Sequence, residues 1–242
     1  MIVLSLILTI LKPRLGSALR LFSTSKPKTY KSKDILYKTS FLPASTHAVL
    51  KEESLNLLSQ LKPDRNSVAH QRVGCSVTPG SKIHDIASSD MFRDRVRQLT
   101  GMPSLVLASN VPVELRRYLP ESNGMEWHVD DVLFEDNLTG QPVRQTELVV
   151  TILNHSLTKT MWKDKHDEAS ITSTWTEENS VICIRAAGVE HAVRRESRVN
   201  TQGVGRVILK LVFVDDGVTK LSQVGKEVLG QVPPMRARRR RK

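Results

Sequence analysis

Cysteine is nearly absent: Cys75 and Cys183 are the only two in 242 residues, and no pairing pattern joins them. Neither a disulfide framework nor a zinc knuckle fits, and a reducing compartment is favoured. Acidic residues are missing before Asp34, where seven basic ones fall, and again from Arg236 to Lys242, where six more lie. The formal net charge of +11 therefore sits in the two ends. With a near-neutral middle, the chain lacks the basic core of a general nucleic-acid binder. No internal repeat is evident. Nor is any apolar run long enough to span a bilayer: Met1 to Leu11, wound as a helix, reaches about 16 Å, roughly half the hydrocarbon thickness.

What is present suits a soluble globular chain. Hydrophobic residues make up 39% and charged residues 25%, enough to bury one substantial core. One domain is expected over 34–218, preceded by a targeting segment at 1–33 and followed by a basic tail at 219–242. Lys12 to Ser25 is rich in Arg, Ser and Leu and free of acid, the composition of an organellar transit peptide. Arg20-Leu21-Phe22-Ser23-Thr24-Ser25 also resembles the Arg-x-Phe-x-x-Ser cleavage pattern of mitochondrial presequences. The mitochondrion is the favoured localisation. The apolar start lacks early arginines, which keeps the secretory pathway open, and Arg236 to Lys242 keeps a nuclear signal or a solvated tail open.

Between Asp34 and Thr100 the pattern predicts mostly helix, a support spanning 41–101. Thr46 or Ser45 is the expected cap of a first helix that Pro63 stops, and a second is expected from Ile83 to Leu99, ending at Gly101-Met102-Pro103. After Pro103 short strands take over, among them Val113 to Tyr118, Gln145 to Leu153, Ser180 to Arg185 and Gly205 to Val214. Many short strands without βαβ alternation imply an α+β fold: a double-stranded β-helix (jelly roll) core over 104–216 with N-terminal supporting helices.

The chemistry concentrates in Trp127-His128-Val129-Asp130-Asp131 and in a downstream histidine, Gly188-Val189-Glu190-His191. On an extended segment side chains repeat every second residue, so His128 and Asp130 can grip one cation, and His191 completes the grip. Two imidazoles and one carboxylate on one face of an octahedral ion form the facial triad of non-haem Fe(II) oxygenases. On the last strand Arg206, Ile208, Lys210 and Val212 share a face, and an inward arginine is costly unless a carboxylate meets it. A guanidinium suits the distal end of a dicarboxylate, to which Tyr118 adds a hydroxyl. His166 and Asp167 form an acid-rich cluster best taken as a solvated loop.

Taken in order, these pieces resemble the Fe(II)- and 2-oxoglutarate-dependent dioxygenases of the prolyl 4-hydroxylase-like group, over roughly Leu36 to Asp216. Arg117-Tyr118, His128-x-Asp130, Ile152-Leu153-Asn154, Gly188 to Val193 and Gly205-Arg206 carry the likeness. It implies iron on His128, Asp130 and His191, and 2-oxoglutarate on Arg206 with Tyr118. O2 is the second co-substrate, and ascorbate an accessory reductant. The implied reaction is hydroxylation of a C–H bond, first of all in peptidyl proline, with a small molecule as the other substrate class. Three departures stand out. Arg206 follows His191 by fifteen residues, implying an insertion at Arg194 to Gln202 and keeping Lys210 as a second candidate for the carboxylate. Ile152 stands where the family often has tyrosine, which removes a hydroxyl from the pocket. Asp164 to Ala169 replaces a Gly-Gly-x-Thr-like segment. Two other functions compete: an alkylated-base demethylase of the same superfamily, suggested by Arg198-Val199-Asn200-Thr201, and a non-catalytic jelly-roll binding module.

Overall fold

The computed structural model describes residues 29–31, 34–64, 68–163, 170–195, 203–217 and 219–229. The targeting segment before residue 29, the acid-rich cluster at 164–169, the greater part of the insertion (196–202) and the basic run at 236–242 lie outside the described residues. In chain order the strands are β1 Thr29–Lys31, β2 Ile35–Lys38, β3 Lys62–Pro63, β4 Arg72–Ser76, β5 Leu105–Leu107, β6 Glu114–Tyr118, β7 Gly124–His128 and β8 Phe134–Asp136. β9 Gln145–Asn154, β10 Thr158–Lys163, β11 Ile171–Trp175, β12 Ser180–Arg185, β13 His191–Arg195, β14 Arg206–Asp215 and β15 Thr219–Leu221 follow. The helices are α1 Ala44–Leu57, α2 Lys82–Ser88, α3 Asp90–Thr100 and α4 Gln223–Leu229. None of them is long and apolar enough to cross a membrane.

All strand pairings are antiparallel. The large sheet runs β1-β2-β12-β9-β14-β6-β4-β3 with β5 on the far end of β14, and faces a smaller sheet of order β11-β10-β13-β7. This is the double-stranded β-helix that the sequence implies. Alternation along the central strands sorts the two faces of the large sheet. Leu148 and Val150 of β9, Leu209, Leu211 and Phe213 of β14, and Val181 and Cys183 of β12 join Leu50, Ile83, Phe92 and Val96 of the helices in one buried core. Phe92 anchors it, meeting Phe41 edge-on at 5.3 Å and stacking on Phe213 at 6.3 Å. The intervening residues, Glu147, Val149, Ile182, Ile184, Ile208 and Lys210, face a cavity on the opposite side.

The helical support differs from expectation in three ways. α1 begins at Ala44 with Pro43 at its N-cap and no side-chain cap, so neither Ser45 nor Thr46 serves; the fixed φ of Pro43 and tertiary packing start the helix instead. The second helix is two. Ser89 is extended (φ −66°, ψ 152°), ends α2, and accepts a hydrogen bond from the Phe92 backbone N–H to start α3. Strands β2, β3 and β4 fall inside the segment expected to be helical and widen the large sheet. At the other end, β15 pairs with β8 and α4 lies against it, so the tail from Thr219 to Leu229 belongs to the fold. Gly225 makes that docking possible: a Cβ there would lie 2.3 Å from the Leu133 carbonyl oxygen.

Candidate active site

His128 ends β7 and His191 opens β13, and the two stand directly opposite in register. Their ring centroids are 4.2 Å apart. Asp130, two residues past His128, brings its carboxylate between them: Oδ1 is 3.8 Å from His128 Nε2 and Oδ2 is 3.5 Å from His191 Nε2. One ligand atom from each lies within 4.8 Å of the others, a spacing able to close on one ion. Each imidazole is aimed by its far nitrogen. His128 Nδ1 is 2.8 Å from the Glu126 carbonyl oxygen, and His191 Nδ1 is 3.2 Å from that of Val189. A carbonyl only accepts, so both Nδ1 atoms carry the proton and both Nε2 lone pairs are left for a metal.

Electrostatics agree with a cation in this place. Burial works against the Asp130 charge, but His191, Lys210 and His128 outweigh it and hold the carboxyl below its ordinary value. Burial depresses the His191 imidazole despite Asp130, keeping it neutral as a ligand must be. The loop behind the ligands is tied down: Gln145 Oε1 accepts from the Leu133 N–H at 2.8 Å, its Nε2 donates to the Asp131 carbonyl at 3.2 Å, and the Ala187 N–H donates to the Asp130 carbonyl at 2.8 Å. Among the described residues no other group of His, Cys, Asp and Glu has this geometry.

The triad opens on a cavity of about 590 Å³ between the two sheets, and every other predicted site residue reaches it. Arg206 is 1% exposed, and its Nε and Nη1 have no hydrogen-bond partner. Its Nη2 lies 3.5 Å from Thr151 Oγ1, and no carboxylate pairs with it among the described residues. Burial alone lowers its pKa, with only the Tyr118 and Tyr37 hydroxyls opposing. Tyr118 sits across β14 from Arg206 in register, with the Arg206 guanidinium 5.8 Å from its ring centre. Lys210 also lines the cavity, but its Nζ is 2.6 Å from Glu147 Oε2. It is spoken for, so the candidate for an incoming carboxylate is Arg206. Ile152 is fully buried in the helix-side core and does not line the cavity, so its lack of a hydroxyl takes nothing from the pocket. Asp131 lines the mouth, whereas Trp127 packs under the Lys163 ammonium at 5.0 Å.

Three charged cavity residues, Arg72, Arg116 and Glu147, escape a reading of the sequence, as does Thr151, which touches Arg206. Arg116 is paired with Glu114, and Glu147 is pushed up to about 7 by burial and by the nearby Asp130 charge, against Lys210. Only Glu147 left a signal, as a lone acid within an otherwise apolar strand, which in a buried sheet calls for a partner.

A double-stranded β-helix thus brings a His-x-Asp…His set, and a buried arginine that no carboxylate pairs with among the described residues, to one cavity. Solved structures with this fold match the chain. A Pseudomonas putida prolyl-4-hydroxylase is 16% identical, with 76% of this chain and 92% of that one covered and a TM-score of 0.54. SnoN, a non-haem alpha ketoglutarate-dependent epimerase from nogalamycin biosynthesis, is 13% identical over 86% and 88%, with a TM-score of 0.63. A Trichoplax adhaerens prolyl hydroxylase, solved with a hypoxia inducible factor peptide, is 9% identical over 76% and 84%, with a TM-score of 0.55. No family model and no curated protein matches the sequence.

Proposed function

We propose that the protein is an Fe(II)- and 2-oxoglutarate-dependent oxygenase that hydroxylates a C–H bond. One observation carries this reading: a buried guanidinium with two unpartnered nitrogens faces the same cavity as the two histidines and the aspartate. An uncompensated buried cation is costly, and a carboxylate relieves it. Iron with 2-oxoglutarate and dioxygen, when bound, supplies oxidative decarboxylation of the co-substrate and oxidation of the substrate C–H. The chain does the rest. His128, Asp130 and His191 hold the metal, and Arg206, with Thr151 and Tyr118 beside it, takes the distal carboxylate. Val149, Ile182, Ile184 and Ile208 wall the cavity with apolar surface that keeps water from the reacting atoms.

Peptidyl proline is the first substrate proposed, in line with two structural neighbours that are prolyl hydroxylases. A small molecule is the second. SnoN, the epimerase from nogalamycin biosynthesis, aligns over more of this chain, and the cavity has the size of a site for a compact organic ligand. Incubation with Fe(II), ascorbate and 2-oxoglutarate should convert the co-substrate to succinate, and Asp130→Ala should lower that turnover by more than about a hundredfold. Unchanged turnover in the variant would remove the proposal. Mass spectrometry of proline peptides and of small-molecule candidates, scored for one added oxygen, separates the two substrate classes.

A further inference from the structure

Arg206 is not alone at the deep end of the cavity. Arg72 on β4 stands in register with Tyr118 on β6, which stands in register with Arg206 on β14. Three adjacent strands thus present Arg, Tyr and Arg in one row. The Arg72 guanidinium is 5.6 Å from the Tyr118 ring centre, close to the 5.8 Å of Arg206 on the same ring. Its contacts are specific. Nε donates to Asp64 Oδ2 at 2.8 Å, and Nη1 donates to the Tyr118 hydroxyl oxygen at 3.2 Å and to Met125 Sδ at 3.3 Å. Nη2 has no partner among the described residues, although Arg72 is 3% exposed.

We propose that Arg72 is a second arginine of the co-substrate site: its free Nη2 and the Tyr118 hydroxyl it orients join Arg206 in binding the distal carboxylate of 2-oxoglutarate. The inference rests on the proposed function and adds a residue from a strand outside the jelly-roll core. Its logic is one of donors. A phenol oxygen that already accepts from a guanidinium keeps its own O–H to give, and here that O–H has only Met125 Sδ at 3.5 Å. A carboxylate is a far better acceptor than a thioether. The pull of Arg72 and Arg206 together lowers the Tyr118 pKa against the effect of burial, which strengthens its hydroxyl as a donor. Asp64 neutralises Arg72 without occupying Nη2, so the row holds one uncompensated positive charge, that of Arg206, and suits one carboxylate.

The test compares two ligands on Mn(II)-loaded protein by calorimetry: 2-oxoglutarate, and 2-oxobutyrate, which keeps the keto acid but has no second carboxylate. Arg72→Met should weaken 2-oxoglutarate by about ten- to a hundredfold, the loss expected for hydrogen bonds to a charged group, and leave 2-oxobutyrate within about twofold. Arg72→Lys keeps the charge beside Asp64 but loses the planar fork whose separate nitrogens reach Asp64, Tyr118 and the ligand, so it should show the same selective loss even if the Met variant fails to fold. Equal weakening of both ligands, or of neither, in Arg72→Lys overturns the assignment. If the unaltered protein does not prefer 2-oxoglutarate to 2-oxobutyrate at all, the co-substrate site on Arg206 fails first.

Discussion

Within the cavity the same cationic chemistry serves opposite ends, and the partner decides which. Among the described residues Arg206 has no carboxylate partner, whereas Lys210, four residues along the same strand face, is consumed by Glu147 at 2.6 Å. The two make different predictions. Lys210→Met should act on stability: Glu147 is 4% exposed and loses its cation, and breaking a buried pair from one side costs about 3–5 kcal/mol. Urea denaturation of the metal-free protein measures it, and Lys210→Met combined with Glu147→Leu should recover most of the loss, because removing both partners leaves no orphan charge. A Lys210→Met protein of unaltered stability that no longer binds 2-oxoglutarate would instead make Lys210 the carboxylate receptor. The sequence put Arg206 first and kept Lys210 as a second candidate, since both lie inward on one strand. What separates them is Glu147, 63 residues away in the chain, and no local pattern reports a pairing across strands. The proposed metal ligands were legible for the opposite reason: two of them lie two residues apart, and the third follows the apolar run Ser180–Arg185 with glycine three residues before it.

At the scale of the elements, the strong strands were readable and the weak ones were not. β12 coincides with the apolar run Ser180–Arg185, and β9 and β14 fall within a residue of their expected ends, because long buried strands carry near-continuous hydrophobic sequence. β4, Arg-Val-Gly-Cys-Ser, is five residues with a glycine inside and gains its stability from pairing with β6, which tertiary structure alone reveals. Missing β4 meant missing Arg72. Ile152 keeps the alternation of Leu148 and Val150 and so falls in the helix-side core, and the bulge on β9 beside Val207–Ile208 lets Leu153 join the same core. The start of β14 has its own device. Gly205 has φ +81°, and a Cβ there would lie 2.1 Å from the Tyr118 carbonyl oxygen, so glycine alone lets β14 close on β6 where Arg206 and Tyr118 pair. Gly205→Ala should cost more than about 2 kcal/mol of stability, combining backbone strain with a forced separation of the strands. It should also weaken 2-oxoglutarate more than it weakens the metal, since His128 and His191 lie on the other sheet. Thermal unfolding and the two binding constants, measured side by side, check both statements.

Across the whole molecule the two sheets are built to different ends. The helix-side face of the large sheet closes on apolar side chains, while the face toward the small sheet keeps Arg72, Arg116, Arg206, Glu147 and Lys210 in a cavity of about 590 Å³. Most of these charges are paired within the chain, whereas Arg206 has no carboxylate among the described residues. On the proposed function the small sheet and its loop would supply the metal ligands and the large sheet the carboxylate receptor, so metal and co-substrate together would bridge the two. They should act as a stabilising strut. Ligands at a hundred times their dissociation constants add about 2.7 kcal/mol, which in a domain of this size raises the unfolding temperature by roughly 5–10 °C. Acid should erode the unliganded fold through His191. Its folded pKa is depressed by burial, so as pH falls below about 6.5 the unfolded chain takes up the proton first and the stability contributed by the neutral ring is progressively lost. Scanning calorimetry at pH 7.5 and 5.5, with Mn(II) and 2-oxoglutarate present or removed by chelation and dialysis, should show the liganded protein melting higher at pH 7.5. The unliganded protein should lose stability between the two pH values by less in His191→Gln, which has no ring to protonate. A ligand-induced rise that survives unchanged in Asp130→Ala would mean that the strut does not run through this site.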